Sequence, residues 1–239
     1  MIHLPIYATK EHYTVNPTKI IALGLNYKSH IEESQSVKVK GFTNEIPHEP
    51  ILFAKTPNVL IGPEQPIVIP QFLKNYPFRT PRVDYEAELA LIIKDKCKAV
   101  PENEALDHIL GFTCMNDVSQ RNLQNSERAG WFRGKSFDTF GPIGPQIVRP
   151  QDIGNVQNLS IRCRLNGKTV QDSDTKHMIF SITEIIAFVS LNFTLMPGDI
   201  ITTGTPSGVG PIQTGDTVEV EIEKIGVLRN PVVEERVSE

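Results

Sequence analysis

One stretch of the chain reads Val83-Asp84-Tyr85-Glu86-Ala87-Glu88-Leu89-Ala90-Leu91-Ile92-Ile93. It predicts a β-strand that carries acids at its start and then becomes apolar on both faces, as a strand does when it enters a core. Because alternate residues of a strand share a face, Glu86 and Glu88 are expected side by side. Adjacent carboxylates near a core repel each other and lose hydration, an arrangement that is tolerated if they hold a cation. The alternative is an edge strand with solvated acids.

A third acid, Asp117, ends the otherwise uncharged segment Gly111-Phe112-Thr113-Cys114-Met115-Asn116-Asp117. Three carboxylates without a cysteine favour a hard cation such as Mg²⁺, Mn²⁺ or Ca²⁺ over structural zinc. Asp117 could instead cap a helix, because the residues after it resemble a helix start. Spacing does not separate these two roles.

Two further features carry chemistry. His30 and Glu33 are three apart in a segment, 27–34, that we expect to be helical, so their side chains face the same way. A carboxylate that orients an imidazole makes a general base near neutral pH, although such pairs are also common on helix surfaces. Lys135 is surrounded by aromatic residues, and it either lies across apolar surface or binds a substrate oxyanion.

The Gly-rich run at 202–210 follows a predicted strand but lacks the GK[ST] ending of a phosphate-binding loop, which argues against nucleotide binding. It is either a tight turn that brings backbone and a threonine hydroxyl to a ligand, or a plain loop.

The remaining pattern is that of a β-rich domain with few helices. The clearest helix begins at Ser181, with Glu184 three residues on as in a capping box. A short third helix is expected at 104–109, and loops are expected at 35–49 and 71–82. Strands are predicted at Lys19–Leu23, Pro66–Ile69, Ala87–Ile93, Leu159–Leu165, Asp199–Thr203 and Thr217–Ile222.

Composition argues against several classes of protein. The 239-residue chain is 39% hydrophobic with a net charge of −4, which gives no field to attract nucleic acid or an anionic membrane. Apolar runs fall short of the roughly 18 residues of a membrane span. Three widely spaced cysteines (Cys97, Cys114, Cys163) argue against a disulfide framework and a thiolate zinc site. The start lacks the pattern of a secretory signal, so we expect a cytoplasmic protein.

In their order along the chain, these motifs resemble the fumarylacetoacetate hydrolase family, and within it the acylpyruvase and 2-hydroxyhepta-2,4-diene-1,7-dioate isomerase branch. The resemblance extends from about residue 20 to the C-terminus. The blocks that carry it are residues 24–33, 83–89, 111–124, 134–145, 166–167 and 196–210.

That resemblance implies a β-rich α+β fold, the mixed β-sandwich roll of the family's C-terminal domain. It implies one catalytic domain over 1–239, with an N-terminal strand and a lid segment within 1–50, no separate N-terminal domain, and a homodimer. The family's roles, transferred by motif, are as follows: Glu86, Glu88 and Asp117 bind Mg²⁺ (or Mn²⁺, with Ca²⁺ possible), His30, Glu33 and Lys135 are catalytic, and Arg121, Gln124 and Thr205 bind substrate.

The resemblance leaves three functions open. The first is a hydrolase that cleaves C–C bonds in acylpyruvates and other 1,3-diketo acids. The second is an isomerase or decarboxylase of 2-hydroxyhepta-2,4-diene-1,7-dioate or of oxaloacetate-like 2-oxo acids, whose second acid group would need a cation such as Arg79, Arg82 or Arg133. The third is a non-catalytic protein that binds a metal or metabolite.

Overall fold

The computed structural model describes residues 1–33, 46–126 and 130–236, with the side chains of 31–33, 126 and 130 excepted. The strands are β1 (Ile2–Pro5), β2 (His12–Val15), β3 (Ile20–Gly24), β4 (Ile51–Lys55), β5 (Leu60–Ile61), β6 (Ile67–Ile69), β7 (Val83–Tyr85), β8 (Ala87–Ile93), β9 (Ile109–Asn116), β10 (Ser119–Gln120), β11 (Gly141–Val148), β12 (Ser160–Leu165), β13 (Lys168–Asp174), β14 (Ile200–Thr202), β15 (Gly210–Ile212), β16 (Thr217–Ile222) and β17 (Gly226–Glu234). The α-helices are α1 (Lys28–Glu33), α2 (Arg121–Ser126), α3 (Gly130–Lys135), α4 (Pro150–Ile153) and α5 (Ile182–Asn192). Short 3-10 helices cover Pro57–Val59, Gln71–Asn75, Glu102–His108 and Thr175–His177.

Two large mixed sheets form the body of the molecule. The seven-stranded sheet has the order β4-β3-β14-β8-β9-β11-β5, and the five-stranded sheet has the order β13-β12-β16-β17-β6. Strands β12 and β16 of the second sheet pack against β8 of the first. A small sheet, β10-β7-β15, and the hairpin β1–β2 complete the architecture. This is the β-rich α+β sandwich that the sequence predicts.

Strand β8 lies at the centre, and all seven of its residues are buried. Leu89 and Leu91 belong to the main core, which includes residues of both large sheets. Ala90 and Ile92 point the other way, into a second core that includes Leu4 of hairpin β1–β2. Because both faces of the strand are covered, its sequence is apolar without alternation.

Helix α5 confirms the capping box expected at its start. The Ser181 hydroxyl accepts from the Glu184 backbone N–H at 3.3 Å, and the Glu184 carboxylate accepts from the Ser181 N–H at 2.7 Å. Its buried residues, including Ile182, Ile185 and Val189, pack into the main core. None of the helices among the described residues is long and apolar enough to cross a bilayer.

The six predicted strands are confirmed to within one residue at each end. Other expectations need correction. The helix expected at 104–109 is a 3-10 helix, Glu102–His108, and the loop expected at 71–82 contains another, Gln71–Asn75. Hairpin β1–β2 was not predicted. Of the lid segment expected within 1–50, helix α1 is described, whereas residues 34–45, which include most of the loop expected at 35–49, lie outside the described residues.

Candidate active site

The three acids predicted to bind a metal meet at one end of the antiparallel pair β8–β9, where β8 begins and β9 ends. Glu86 immediately precedes β8, Glu88 lies within it, and Asp117 follows β9. Because β8 and β9 pair antiparallel, with Ala87 opposite Asn116, the start of one lies beside the end of the other. All three acids are buried, and a carboxylate oxygen from each lies within 4.8 Å of the others.

Two buried lysines supply positive charge to this cluster. Lys135 Nζ donates to Glu86 Oε2 and to Asp117 Oδ2, at 2.6 Å in each case. Lys55 Nζ donates to Asp117 Oδ1 at 2.6 Å and to the backbone carbonyl of Lys135. An ammonium at this depth is costly without a partner, so the lysines and the acids depend on one another.

Arg121, the first residue of α2, links the cluster to a fourth acid. Its Nε donates to Asp84 Oδ2 at 2.9 Å, its Nη1 donates to Gln124 Oε1 at 2.8 Å, and its Nη2 donates to Glu86 Oε1. A guanidinium has five N–H groups, so these three bonds leave two for a ligand. Gln124 follows one helical turn later, which places both side chains on the same side of α2.

The environment of Glu86 favours its charged form. Burial by itself raises the pKa of this carboxyl, but attraction by Lys135, Arg121 and His30 outweighs burial, and the pKa lies well below its ordinary value. Glu86 is therefore a carboxylate throughout the physiological pH range.

Glu88 differs from its neighbour on the same face. Burial raises its pKa, and repulsion from Asp117 and Glu86 raises it further, to well above the ordinary value. Among the described residues, the salt bridges of the site involve Glu86 and Asp117 but not Glu88. Glu88 accepts a bond from the Gly204 N–H at 2.9 Å. Its negative charge is the least compensated in the cluster.

These residues fit a hard divalent cation. The cluster offers only oxygen ligands, which is the donor set of Mg²⁺, Mn²⁺ and Ca²⁺. Glu88 holds negative charge that such an ion would neutralise. Lys135 already bridges Glu86 and Asp117, so an ion would share those two carboxylates with an ammonium.

His30 lies in α1, and hydrogen bonds hold the residues just before this helix in place. Its backbone N–H donates to the Tyr27 carbonyl at 3.0 Å. The Asn26 side chain donates to the Thr203 carbonyl at 2.8 Å and accepts from the Phe180 N–H at 2.8 Å. Asn26 thereby ties the start of α1 to the loop that follows β14.

That loop needs a glycine. Gly204 has φ +88, and a Cβ at this position would lie 2.9 Å from the Asn26 Cβ, so a side chain would be both strained and crowded. This close approach lets the Gly204 N–H reach Glu88. Next along the chain, the Thr205 hydroxyl accepts from Gln171 Nε2 at 2.9 Å and lines the cavity. The Gly-rich run is therefore a turn built into the site.

These groups line a small cavity that opens to solvent. Two aromatic rings, Phe53 and Trp131, form part of its wall, with centroids 5.1 Å apart in an edge-to-face arrangement. Lys135 Nζ lies 5.1 Å from the centroid of Phe53. A small ligand here would meet cations and one imidazole on its polar side and aromatic surface elsewhere.

The structure brings eight of the nine predicted site residues together: His30, Glu86, Glu88, Asp117, Arg121, Gln124, Lys135 and Thr205. The ninth, Glu33, ends α1, and its side chain lies outside the described residues.

Three alternatives drawn from the sequence are wrong. Glu86 and Glu88 are not solvated acids of an edge strand, because β8 lies between two neighbours and is buried. Asp117 does not cap a helix, because β10 intervenes and α2 begins at Arg121. The ammonium of Lys135 does not reach solvent across apolar surface but lies between two carboxylates.

Sequence reasoning missed several residues of the site. Lys55 ends an apolar strand, and its charge in that position was the available signal. Asp84 precedes Glu86 by two residues, so the alternation that pairs Glu86 with Glu88 also includes it. The aromatic wall of Phe53 and Trp131 had no comparable signal.

The chain is similar to known proteins along most of its length. The family described as fumarylacetoacetate (FAA) hydrolase C-terminal matches residues 19–233. The mitochondrial oxaloacetate tautomerase fahd2 of Xenopus laevis is 43% identical over 226 residues, which are 91% of this chain and 66% of that protein.

Two solved structures show the same fold. The 2-hydroxyhepta-2,4-diene-1,7-dioate isomerase of Mycobacterium marinum has a TM-score of 0.79 and 36% identity, over 96% of this chain and 83% of that one. The fumarylpyruvate hydrolase of Pseudomonas aeruginosa, in complex with Mn²⁺ and pyruvate, has a TM-score of 0.81 and 28% identity, over 98% and 96%.

Proposed function

Because the chain belongs to the fumarylacetoacetate hydrolase family, we propose that it is a divalent-metal-dependent enzyme that interconverts the enol and keto forms of small 2-oxo dicarboxylic acids such as oxaloacetate. One observation carries the proposal. A single imidazole, two buried cations and a carboxylate cluster line the same small cavity, and this is the set of groups that proton transfer next to a carbonyl requires.

Among the relatives compared above, identity favours this reaction over hydrolysis. The oxaloacetate tautomerase is 43% identical to this chain, whereas the fumarylpyruvate hydrolase is 28% identical.

His30 is the base in the proposed reaction. Its imidazole takes a proton from C3 of the keto acid, the C3–H electron pair becomes the C2–C3 double bond, and the carbonyl π pair moves onto O2. The same imidazole then delivers its proton to O2, so no atom is gained or lost. When bound by Glu86, Glu88 and Asp117, a divalent cation would supply Lewis acidity at the carbonyl end of the substrate.

The cations orient the substrate and balance the charge that develops. Lys135 uses two of its three N–H groups on Glu86 and Asp117, and the third is available to a substrate oxygen. The two remaining N–H groups of Arg121 suit a carboxylate. Of the described residues, Arg121 lines the cavity, whereas the arginines suggested by the sequence (Arg79, Arg82 and Arg133) do not. Arg121 is therefore the better candidate for the second acid group.

Enol loss and keto formation test this proposal directly. Oxaloacetate enol is followed by its absorbance, keto acid by coupling to malate dehydrogenase, and pyruvate by coupling to lactate dehydrogenase, with Mg²⁺, Mn²⁺ or EDTA. We expect metal-dependent enol loss without pyruvate, and a fall of about 100-fold or more in His30→Asn. The matched control is His177→Asn, an exposed histidine that does not line the cavity, which should retain full activity. Equal rates with and without enzyme would reject the proposal.

A second candidate is C–C hydrolysis of acylpyruvates. It is favoured by the His30–Glu33 spacing on α1 and by the likeness to the fumarylpyruvate hydrolase over 98% of this chain. In the same assays acetylpyruvate would yield pyruvate and acetate, and Glu33→Gln would abolish that yield. Pyruvate from oxaloacetate would instead identify a decarboxylase. Tight metal binding without turnover of any of these acids would leave a binding protein.

We also propose that the protein acts as a homodimer, as the family resemblance implies. Light scattering of the purified protein, measured during size-exclusion chromatography, tests this independently of activity.

A further inference from the structure

A second group of metal-binding side chains lies away from the cavity, in the connection between β8 and β9. It consists of Asp95, Cys97 and His108, and we call it the hairpin cluster. One potential ligand atom from each of the three residues lies within 4.8 Å of the others. His108 Nδ1 and Asp95 Oδ1 are 2.6 Å apart.

The backbone holds the hairpin cluster in place. The Cys97 N–H donates to the Leu195 carbonyl at 3.1 Å, and the Leu195 N–H donates back to the Cys97 carbonyl at 2.9 Å. The Lys94 N–H donates to the His108 carbonyl at 2.8 Å, at the end of the 3-10 helix Glu102–His108. The backbone of Cys97 and of His108 is therefore held by hydrogen bonds that do not involve their side chains.

A catalytic thiol is a poor explanation of this arrangement. Cys97 is only 6% exposed. Burial raises the pKa of its thiol, and Asp95 and Asp199 raise it further, so the thiol stays protonated at neutral pH. A nucleophilic cysteine needs the opposite, an accessible thiolate in positive surroundings.

We propose that the hairpin cluster is a second metal site, which binds Zn²⁺ or a chemically similar ion through the Cys97 sulfur, a His108 nitrogen and an Asp95 oxygen. Sulfur with imidazole and carboxylate is a borderline-soft donor set that selects zinc, whereas the all-oxygen cluster of Glu86, Glu88 and Asp117 selects magnesium or manganese. Three protein ligands leave a fourth position for water.

Only a small adjustment separates the hairpin cluster from a zinc site. Zinc bonds of about 2.0 Å to nitrogen and oxygen at a tetrahedral angle place the ligands roughly 3.3 Å apart. The contact between His108 and Asp95 would therefore open by less than 1 Å. The side chains of His108 and Asp95 are 25% and 48% exposed, so they have room to move and an ion can approach from their side. The site would tie the β8–β9 connection to the segment around Leu195.

The sequence argues against a thiolate zinc site because its cysteines are far apart. The hairpin cluster needs only one cysteine, with the pattern Asp95-x-Cys97 followed eleven residues later by His108. Its other two ligands, an aspartate and a histidine, are common on protein surfaces, so the sequence does not mark them. The site becomes visible only when the structure brings the three side chains together.

Cobalt spectroscopy of the full-length protein tests the proposal. The carboxylate site is first saturated with excess Mg²⁺, and Co²⁺ is then added, because a cobalt–thiolate bond gives a near-ultraviolet charge-transfer band that oxygen ligands do not give. We expect one equivalent of Co²⁺ to produce this band and Zn²⁺ to displace it. Cys97→Ser should abolish the band, and His108→Gln should weaken Co²⁺ binding at least tenfold.

Two controls keep the outcome decisive. Glu88→Gln, which changes the carboxylate site, should leave the band intact, and circular dichroism checks that each variant is folded. His108→Gln changes a partly exposed side chain, so it remains informative even if Cys97→Ser does not fold. No band in the wild type, a band that persists in Cys97→Ser, or unchanged Co²⁺ affinity in His108→Gln would each overturn the proposal.

Discussion

Replacing Glu88 and Glu86 by glutamine should change the free energy of unfolding in opposite directions, although the two residues share one face of one strand. Glu88→Gln removes a buried carboxyl that has no salt bridge among the described residues and whose ionisation is opposed by burial, Asp117 and Glu86, and the amide oxygen can still accept from the Gly204 N–H. Relieving this penalty should stabilise the metal-free protein by about 1–2 kcal/mol, within the range for a buried polar group without its partner.

Glu86→Gln removes the partner of two cations. Arg121 and Lys135 both donate to this carboxylate, and each would be left with less compensation in the interior. Breaking a buried pair from one side costs about 3–5 kcal/mol. Arg121 keeps its bond to Asp84, and Lys135 keeps its bond to Asp117. We therefore expect a loss of stability near the lower end of this range.

The gain from Glu88→Gln should depend on pH in a defined direction. The pKa of Glu88 is raised above its ordinary value of 4.5, so the folded protein binds the proton more tightly than the unfolded chain does. The wild type therefore loses stability as pH rises through 4.5 and beyond. The advantage of Glu88→Gln should be negligible at pH 4 and should grow toward neutral and alkaline pH.

Urea denaturation of the metal-free proteins at several pH values measures these differences. Calorimetric titration with Mn²⁺ completes the assay. Glu88→Gln should bind Mn²⁺ about 100-fold more weakly than the wild type, since even the loss of an outer-shell partner of a metal ligand weakens binding about 10–100-fold. Mn²⁺ at 100 times its Kd should stabilise the wild type by about 2.7 kcal/mol and the variant far less. If Glu88→Gln is as destabilising as Glu86→Gln, the assignment of uncompensated charge to Glu88 is refuted.

Three further variants test other parts of the structure by urea denaturation. Lys55→Met leaves Asp117 short of one buried cation and should cost about 3 kcal/mol, whereas the matched surface variant Arg229→Met should cost less than about 1 kcal/mol; equal costs would contradict the burial argument. Ser181→Ala removes the cap of α5 and should cost about 1 kcal/mol without changing activity; an unchanged midpoint would argue against the cap. Burial opposes ionisation of Asp199, but bonds from Lys19 and its neighbours hold its pKa below the ordinary value of 3.8, so the stability that this acid adds is present above pH 4 and lost below it. Asp199→Asn should therefore be more destabilising at pH 7 than at pH 3, and the same cost at both would contradict this account.

The sequence predicts the central strand and the acidic part of the site because both depend on local patterns. Strand β8 is apolar on both faces, and its bounds follow from that run alone. The carboxylates of Glu86 and Glu88 follow from alternation along the chain. Helix α5 follows from a cap and a helical period, which are also local.

The counter-ions of the site are not predictable in this way. Lys55 and Asp117 are separated by 62 positions. They meet because the strand that Lys55 ends, β4, lies in the same sheet as β9, which Asp117 follows. The strands β3, β14 and β8 lie between them. Hairpin β1–β2 is missed for a related reason. Its strands have four residues each, too few to show a period, and they are fixed by packing on β8 and its neighbours.

Charge balance connects the fold to the proposed chemistry. Four buried acids, Asp84, Glu86, Glu88 and Asp117, face three buried cations, Lys55, Arg121 and Lys135. Arg82 also pairs with Asp84, but its side chain is 36% exposed and solvent screens it. Burial lowers the pKa of Lys55 even though Asp117 attracts its charge, so at least one negative charge is left over, and the raised pKa assigns it to Glu88. Either a proton or a metal ion can neutralise this charge, so the metal-free and metal-bound proteins should differ by a proton at Glu88. A cluster with equal positive and negative charge would be more stable but would have little affinity for a divalent cation. The uncompensated negative charge lies on Glu88, the one acid of the cluster that forms no salt bridge among the described residues.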